Sequence, residues 1–276
     1  LATIGMLDEE EEFEDGVGLE TKHMWNTSDD AAAESFRTIR TVLVMGTEDS
    51  ERIAVTSAEP GDGKTTISSN LAIAYQQAGK RVLIIDADMR KPGLTKLIDR
   101  RGQVGLSDIL RGTEEVPEQA SRLATQTGSV PIDIIPAGRR PPNPGELLLG
   151  DRFAELLAWA DGEYDQVIVD APPVLAGTDA AAVGRLCDGL MLVVRPEKNR
   201  RRVLIKAVET LRMFGVTLFG TVVNAVGLEE MGYGYGYGYG YGYGYGYGYG
   251  YGDEYGLDDD EEYGDEEEEE TYMRAA

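Results

Sequence analysis

Eight residues, Ala58-Glu59-Pro60-Gly61-Asp62-Gly63-Lys64-Thr65, constrain this chain more than any other stretch. They follow an apolar, strand-like run, Ile53–Ser57, and open a helical stretch from Lys64 to Gln77 that Gly79 ends. Glycines at a strand-to-helix junction let backbone N–H groups close round phosphate oxygens. The helix N-terminus adds a field that favours negative charge. A Gly-rich turn alone could be a chance connection. Strand, helix and Lys-Thr together make it a phosphate-binding loop, with Ala58 where the first glycine is usual. Gly61, Asp62, Gly63, Lys64, Thr65 and Thr66 are the candidate nucleotide contacts. Lys64 would reach the β- and γ-phosphates, and the Thr65 hydroxyl would ligate Mg²⁺.

Two further apolar runs end in carboxylates. Leu83-Ile84-Ile85 leads into Asp86-Ala87-Asp88-Met89-Arg90, and Val167-Ile168-Val169 leads into Asp170-Ala171-Pro172-Pro173. Ligands of open parallel sheets bind beyond the C-terminal strand ends, so Asp86, Asp88 and Asp170 are expected to converge with the loop on one edge. One aspartate at a strand end is common in caps and turns. Together with the loop they form a candidate base and Mg²⁺ set.

Residues 29–47 read as a helix, because Asp29 or Asp30 can cap it and Phe36, Ile39 and Leu43 recur at helical spacing. Val82–Asp86, Ile132–Ile135, Val167–Asp170, Leu190–Val194 and Thr217–Asn224 read as strands. Pro144 to Trp159, Asp179–Leu186 and Arg200–Phe214 read as helices. Near-continuous apolar strands alternating with helices indicate an α/β fold with a mostly parallel sheet flanked by helices.

The net charge of −24 is carried by the ends. Residues 1–30 hold ten acidic and one basic residue, and residues 231–276 hold thirteen and one. Three regions follow: an acidic leader over 1–28 expected to be disordered, a near-neutral domain over 29–230, and a disordered tail over 231–276. The charge totals give no sign of a broad basic face, which argues against a nucleic-acid partner. The one cysteine, Cys187, cannot form an internal disulfide and reads as a buried thiol, a usage that fits the cytosol. The one histidine, His23, lies in the leader, which excludes a His/Cys metal site. No apolar stretch approaches the ~18–20 residues of a membrane helix. In the tail, tyrosine alternates with glycine, a composition too flexible to build a core. The bland alternative is a sticky low-complexity tail without chemistry.

A hydrophobic run ending in D-x-D-x-R after the phosphate loop, and then one ending in D-x-P-P, resembles the bacterial tyrosine kinases of capsule and exopolysaccharide systems. Those proteins are P-loop NTPases in fold. The resemblance runs from about Asp30 to Val226 and resumes in the tyrosine-rich tail. Glu34, Arg37 and Arg40 match that family's E-x-x-R-x-x-R subunit-contact motif. At that spacing they would otherwise be an exposed helix face with pairs worth about 0.2–0.5 kcal/mol. Gly105–Leu110 and Pro142–Leu148 also look like family segments. The partition and division-site ATPases share the fold but carry a lysine five positions before the loop lysine. Here that position is Glu59, of opposite charge.

The resemblance implies ATP and Mg²⁺ as cofactors and Lys64, Asp86, Asp88 and Arg90 as catalytic residues. Thr65 and Asp88 would hold Mg²⁺, with Asp170 acting through water, and Asp86 would take the tyrosine proton. Asn224 would touch adenine, although a strand-end turn residue fits that position equally. It implies phospho-acceptors at Tyr233, Tyr235, Tyr237, Tyr239, Tyr241, Tyr243, Tyr245, Tyr247, Tyr249, Tyr251, Tyr255, Tyr263 and Tyr272. The strict Tyr-Gly alternation is more regular than the family's usual clusters. Implied partners are a ring of copies, a tyrosine phosphatase and a transmembrane activator or polysaccharide co-polymerase segment. That segment, fused or separate, would hold the domain at the inner face of the plasma membrane. The acidic leader and the non-Met start lead to the expectation of a fused one. Arg200, Arg201 and Arg202 with Lys206 form a short basic face, either merely solvated or able to receive an acidic tail or a partner. Two other readings stay open: an ATPase switch on the same loop, and a scaffold that has lost catalysis.

Overall fold

The computed structural model describes residues 2–5, 18–19, 22, 31–46, 50–126 and 129–226. All belong to the first of two units, Leu1–Tyr235 and Gly236–Ala276. The tail tyrosines from Tyr233 to Tyr272, His23, and the capping candidates Asp29 and Asp30 lie outside the described residues.

Strand-forming and helix-forming segments alternate as the apolar pattern requires. The strands are β1 (Ala2–Gly5), β2 (Arg52–Ser57), β3 (Val82–Asp86), β4 (Thr125–Gln126), β5 (Asp133–Ile135), β6 (Gln166–Asp170), β7 (Gly189–Val194) and β8 (Leu218–Val226). The helices are α1 (Ala31–Gly46), α2 (Lys64–Gln77), α3 (Gly93–Leu97), α4 (Leu106–Arg111), α5 (Val116–Leu123), α6 (Pro144–Leu149), α7 (Asp151–Glu163), α8 (Asp179–Leu186) and α9 (Arg201–Met213). The strands form one eight-stranded sheet in the order β1-β8-β7-β2-β6-β3-β5-β4. Every described pairing is parallel except β4 with β5.

Successive strand residues point to opposite faces, and the core divides accordingly. Leu83, Ile85, Val167, Val169, Leu190 and Leu192 enter one cluster, which α4 to α9 cover. Val82, Ile84, Ile168, Met191 and Val193 enter the other, which α1, α2 and α3 cover. In α1, Ala33, Phe36, Ile39 and Leu43 are the buried stripe, which packs beside α2. A sheet buried on both faces holds its strand ends rigidly, and those ends carry the site.

Three features depart from the sequence expectation. Ala2–Gly5 fall in the leader expected to be disordered but pair as a parallel edge strand with β8. An open sheet edge presents unpaired N–H and C=O groups, and Ala-Thr-Ile-Gly carries no charge to oppose pairing. Leu19, in the same leader, is buried in the α1–α2 core, and the Gly18 N–H donates to the Leu97 carbonyl. The single helix expected from Pro144 to Trp159 is two, broken where Gly150 takes an extended conformation (φ −77°, ψ 157°). Glycine is a poor helix former, and the Gly150 carbonyl accepts from the Phe153 N–H at the start of α7.

Candidate active site

The loop from Ala58 to Thr65 lies between β2 and α2, on the edge where β3 and β6 end. Gly63 is its tightest point. Its φ of +96° lies in the left-handed region that glycine tolerates. A Cβ there would sit 2.1 Å from Asn224 Nδ2. Asn224 Nδ2 donates to the Asp62 carbonyl at 2.9 Å, so the end of β8 braces the loop.

Lys64, 8% exposed, lies between two carboxylates. Its Nζ is 3.1 Å from Asp88 Oδ2 and 3.4 Å from Asp170 Oδ1. Burial alone would lower the ammonium's pKa, but Asp170, Asp88 and Asp86 together raise it, so the lysine stays charged. The Thr65 hydroxyl donates to Asp170 Oδ2 at 2.7 Å. Asp170 is inaccessible to solvent, and burial raises its pKa against the pull of Lys64 and Thr65. The four groups therefore interlock at the ends of β3 and β6.

Asp86 is also fully buried. Its Oδ2 accepts from the Thr95 N–H (2.8 Å) and the Thr95 hydroxyl (2.7 Å), and its Oδ1 accepts from the Asp88 N–H at 3.1 Å. The Ala137 N–H donates to Thr95 Oγ1 at 2.8 Å, which fixes the direction of the threonine's own proton toward Asp86. Burial and the charge of Asp170 push Asp86 up to about 7, against the opposing pull of Lys64 and Thr95. Asp88 Oδ1 accepts from the backbone N–H groups of Arg90 (3.3 Å) and Lys91 (2.9 Å). Arg90 is turned to α8, where its Nε and Nη2 meet Asp179 Oδ2 and Oδ1 at 2.7 and 3.2 Å.

These side chains suit Mg²⁺ with nucleotide phosphates. The donors are hard oxygens, a hydroxyl and one or two carboxylates, the set Mg²⁺ takes when phosphates and water complete its shell. Among the described residues no cluster of three or more His, Cys, Asp or Glu is placed to hold a metal alone.

The sequence reading missed the loop's outer brace. Lys198 and Asn199 follow β7. Lys198 Nζ donates to Asp62 Oδ1 (2.7 Å) and to the Pro60 carbonyl. Asn199 Nδ2 donates to Asp62 Oδ1 (3.1 Å) and Glu59 Oε2 (3.0 Å). Asp62 Oδ2 accepts from the Glu59 N–H at 2.8 Å. The Asp62 carboxylate thus shapes the loop, and any contact with phosphate falls to its backbone. Thr95 and Asp179 were missed as well. Asp179 in the first turn of a helix looks like an ordinary helix-start residue, and nothing along the chain points to Thr95 or Lys198.

The chain is similar to known proteins in sequence and in fold. Residues 49–231 match the ParA family model, described as a NUBPL iron-transfer P-loop NTPase. The tyrosine-protein kinase YwqD of Bacillus subtilis is 38% identical over 206 residues, which cover 73% of this chain and 85% of that protein. The chain belongs to the bacterial tyrosine kinase family. The tyrosine-protein kinase wzc of Salmonella typhimurium is 39% identical over 74% of this chain, and the chain spans 28% of that longer protein. Among solved structures, the kinase domain of the Escherichia coli tyrosine kinase ETK superposes with a TM-score of 0.74 at 35% identity, covering 87% of this chain and 94% of that one.

Glu34, Arg37 and Arg40, which match the family's motif, lie on α1. Glu34 Oε2 accepts from Arg37 Nη1 at 3.1 Å, and Arg40 Nη1 donates to the Ala74 carbonyl at 2.6 Å. Arg40 is therefore engaged within its own chain. No described helix is long and apolar enough to cross a membrane.

Proposed function

We propose that this chain is an ATP-dependent protein-tyrosine kinase that phosphorylates its own C-terminal tyrosines in trans within an oligomer. Its activity would regulate synthesis and export of a capsular or extracellular polysaccharide. The observation that carries this reading is the Lys64 ammonium held between Asp88 and Asp170, beside the buried Asp86. Lys64, Thr65, Asp88 and Asp170 would hold the phosphates and Mg²⁺, which neutralises charge on the transferred group. Phosphoryl transfer depends mainly on such positioning and charge neutralisation. The tyrosine oxygen forms the new bond to phosphorus as the bond to the leaving ADP oxygen breaks, and the phenol proton passes to Asp86. A free phenol has a pKa near 10, so a carboxylate raised toward neutrality is matched to taking the proton as the bond forms.

Glu59, tied to Asn199, supports this reading over a partition-type ATPase, which needs a lysine there. A transmembrane activator segment would hold the domain at the inner face of the plasma membrane, and a phosphatase would reverse the modification. The test is intact-mass spectrometry after incubation with Mg-ATP, beside Lys64→Met and a chain truncated after Gly232. Whole-phosphate mass gains absent from both variants are expected. ATP hydrolysis without any mass gain would replace this reading with an ATPase switch, and no turnover even with the activator segment added would replace it with a scaffold.

A further inference from the structure

The edge that carries the catalytic carboxylates also carries cations that the chemistry above leaves unused. Lys91, Arg139 and Arg140 are exposed, and among the described residues their side chains have no ion-pair or hydrogen-bond partner. They lie on the two segments that frame Asp86. Lys91 comes three residues after Asp88, and its backbone N–H binds Asp88. Arg139 and Arg140 come just after Ala137, whose N–H binds the threonine that holds Asp86. The backbone that presents the arginines is fixed. The Ser107 hydroxyl donates to the Arg139 carbonyl at 2.6 Å, and the Leu106 and Ser107 N–H groups donate to the carbonyls of Pro136 and Ala137. Pro141 and Pro142 stiffen the exit. The carboxylate against Gly138, Asp108, is engaged with Arg111.

A second basic run, Arg200 to Arg202, lies on the other flank. In the strand order, β7 and β8 are on one side of β2, while β6, β3 and β5 are on the other. Lys198 and Asn224 brace the loop from the first side. The phenol has to reach Asp86, at the end of β3 and next to β5.

We propose that Lys91, Arg139 and Arg140 form a docking rim for an acidic, tyrosine-bearing peptide, and that its occupant is segment 253–276 of another copy of this chain. The inference rests on the kinase reading above and adds a choice among acceptors. Segment 253–276 holds Tyr255, Tyr263 and Tyr272 among thirteen acidic residues and one arginine, whereas 233–252 holds ten tyrosines and no charge. Exposed cations without partners attract a segment dense in carboxylates and gain nothing from an uncharged one. Tyrosines flanked by acid would therefore dock at the rim, and those of the Tyr-Gly array would not.

Fluorescein-labelled peptides 233–252 and 253–276, titrated with the full chain and read by anisotropy, test this without turnover. Peptide 253–276 is expected to bind more tightly, and added salt is expected to shrink the difference. The preference should fall about tenfold in R139E/R140E, the loss from two reversed charges at an exposed site, and should survive R139K/R140K and R200E/R201E/R202E. Equal binding of the two peptides, or a preference that survives R139E/R140E, overturns the rim. So does a preference lost only in the R200E/R201E/R202E variant. Because binding is read without ATP, failure here leaves the kinase reading standing, and failure of the mass experiment leaves the rim to be judged by these titrations.

Discussion

Arg90 donates its backbone N–H to Asp88, but its guanidinium is held by Asp179, which is 3% exposed on its side chain. A Cβ on Gly145 would come 2.8 Å from Asp179 Oδ1, so α6 and α8 together fix the carboxylate that aims the arginine. Asp179→Asn keeps the shape but places an NH₂ against the guanidinium. The expected outcome is a kcat for tail phosphorylation lower by up to about a hundredfold, the scale of a ~1 Å misplacement, with the KM for ATP unchanged; equal losses in both would mark Asp179 as merely structural. Gly63 has a stricter requirement. Gly63→Ala adds about 1–2 kcal/mol of left-handed backbone strain to a 2.1 Å overlap with Asn224 Nδ2. It should abolish binding of a fluorescent ATP analogue. Asn224→Ala removes the overlap but not the strain, so the double variant should recover binding only in part. Thr95→Val keeps volume but removes the hydroxyl that bridges Asp86 and the Ala137 N–H. Two buried polar groups then lose a partner, at a cost of about 1–3 kcal/mol each, and a fall in denaturant midpoint at unchanged m-value would register it.

Local pattern and long-range pairing divide what is legible at the scale of elements. Helices α2 and α8 and strand β3 were readable to the residue, because apolar periodicity and flanking glycines mark them without reference to the rest of the fold. The loop and its three aspartates were readable for the same reason: strand ends on one edge converge in any parallel sheet. Edge strand β1 was not, since Ala-Thr-Ile-Gly becomes a strand only through the open flank of β8. Helices α3 and α4 are too short, at five and six residues, to carry a clear period. Lys198 and Asn199 brace a loop more than 130 residues away in sequence, a pairing no spacing rule contains. Helix α1 combines both cases. Its Phe36-Ile39-Leu43 stripe was legible, but the hydrogen bond from Arg40 to the Ala74 carbonyl was not. Phe36 is fully buried, so Phe36→Ala should cost about 3–5 kcal/mol in thermal or denaturant unfolding. A loss below ~1 kcal/mol would mean that α1 is only loosely docked.

At the scale of the whole molecule, charge decides between two opposing effects of phosphorylation. Each phosphotyrosine adds about −1.5 to −2 charges. If the ten tyrosines of the Tyr-Gly array are modified, the tail gains roughly −15 to −20 on top of thirteen acidic side chains and one arginine. The rim of Lys91, Arg139 and Arg140 offers three positive charges per copy. It can hold one stretch of tail but cannot neutralise that load. Where several copies associate, their tails are brought within a few Debye lengths of one another, about 8 Å each at physiological salt. Repulsion between tails then exceeds the attraction at the rim. Light scattering at equal protein concentration should therefore show a lower mean mass for the phosphorylated chain than for the unmodified one. The difference should shrink as salt is raised and vanish in a chain truncated after Gly232. Identical mass distributions at low salt would mean that association, if it occurs, is set by apolar and α1 contacts and is blind to the charge of the tail.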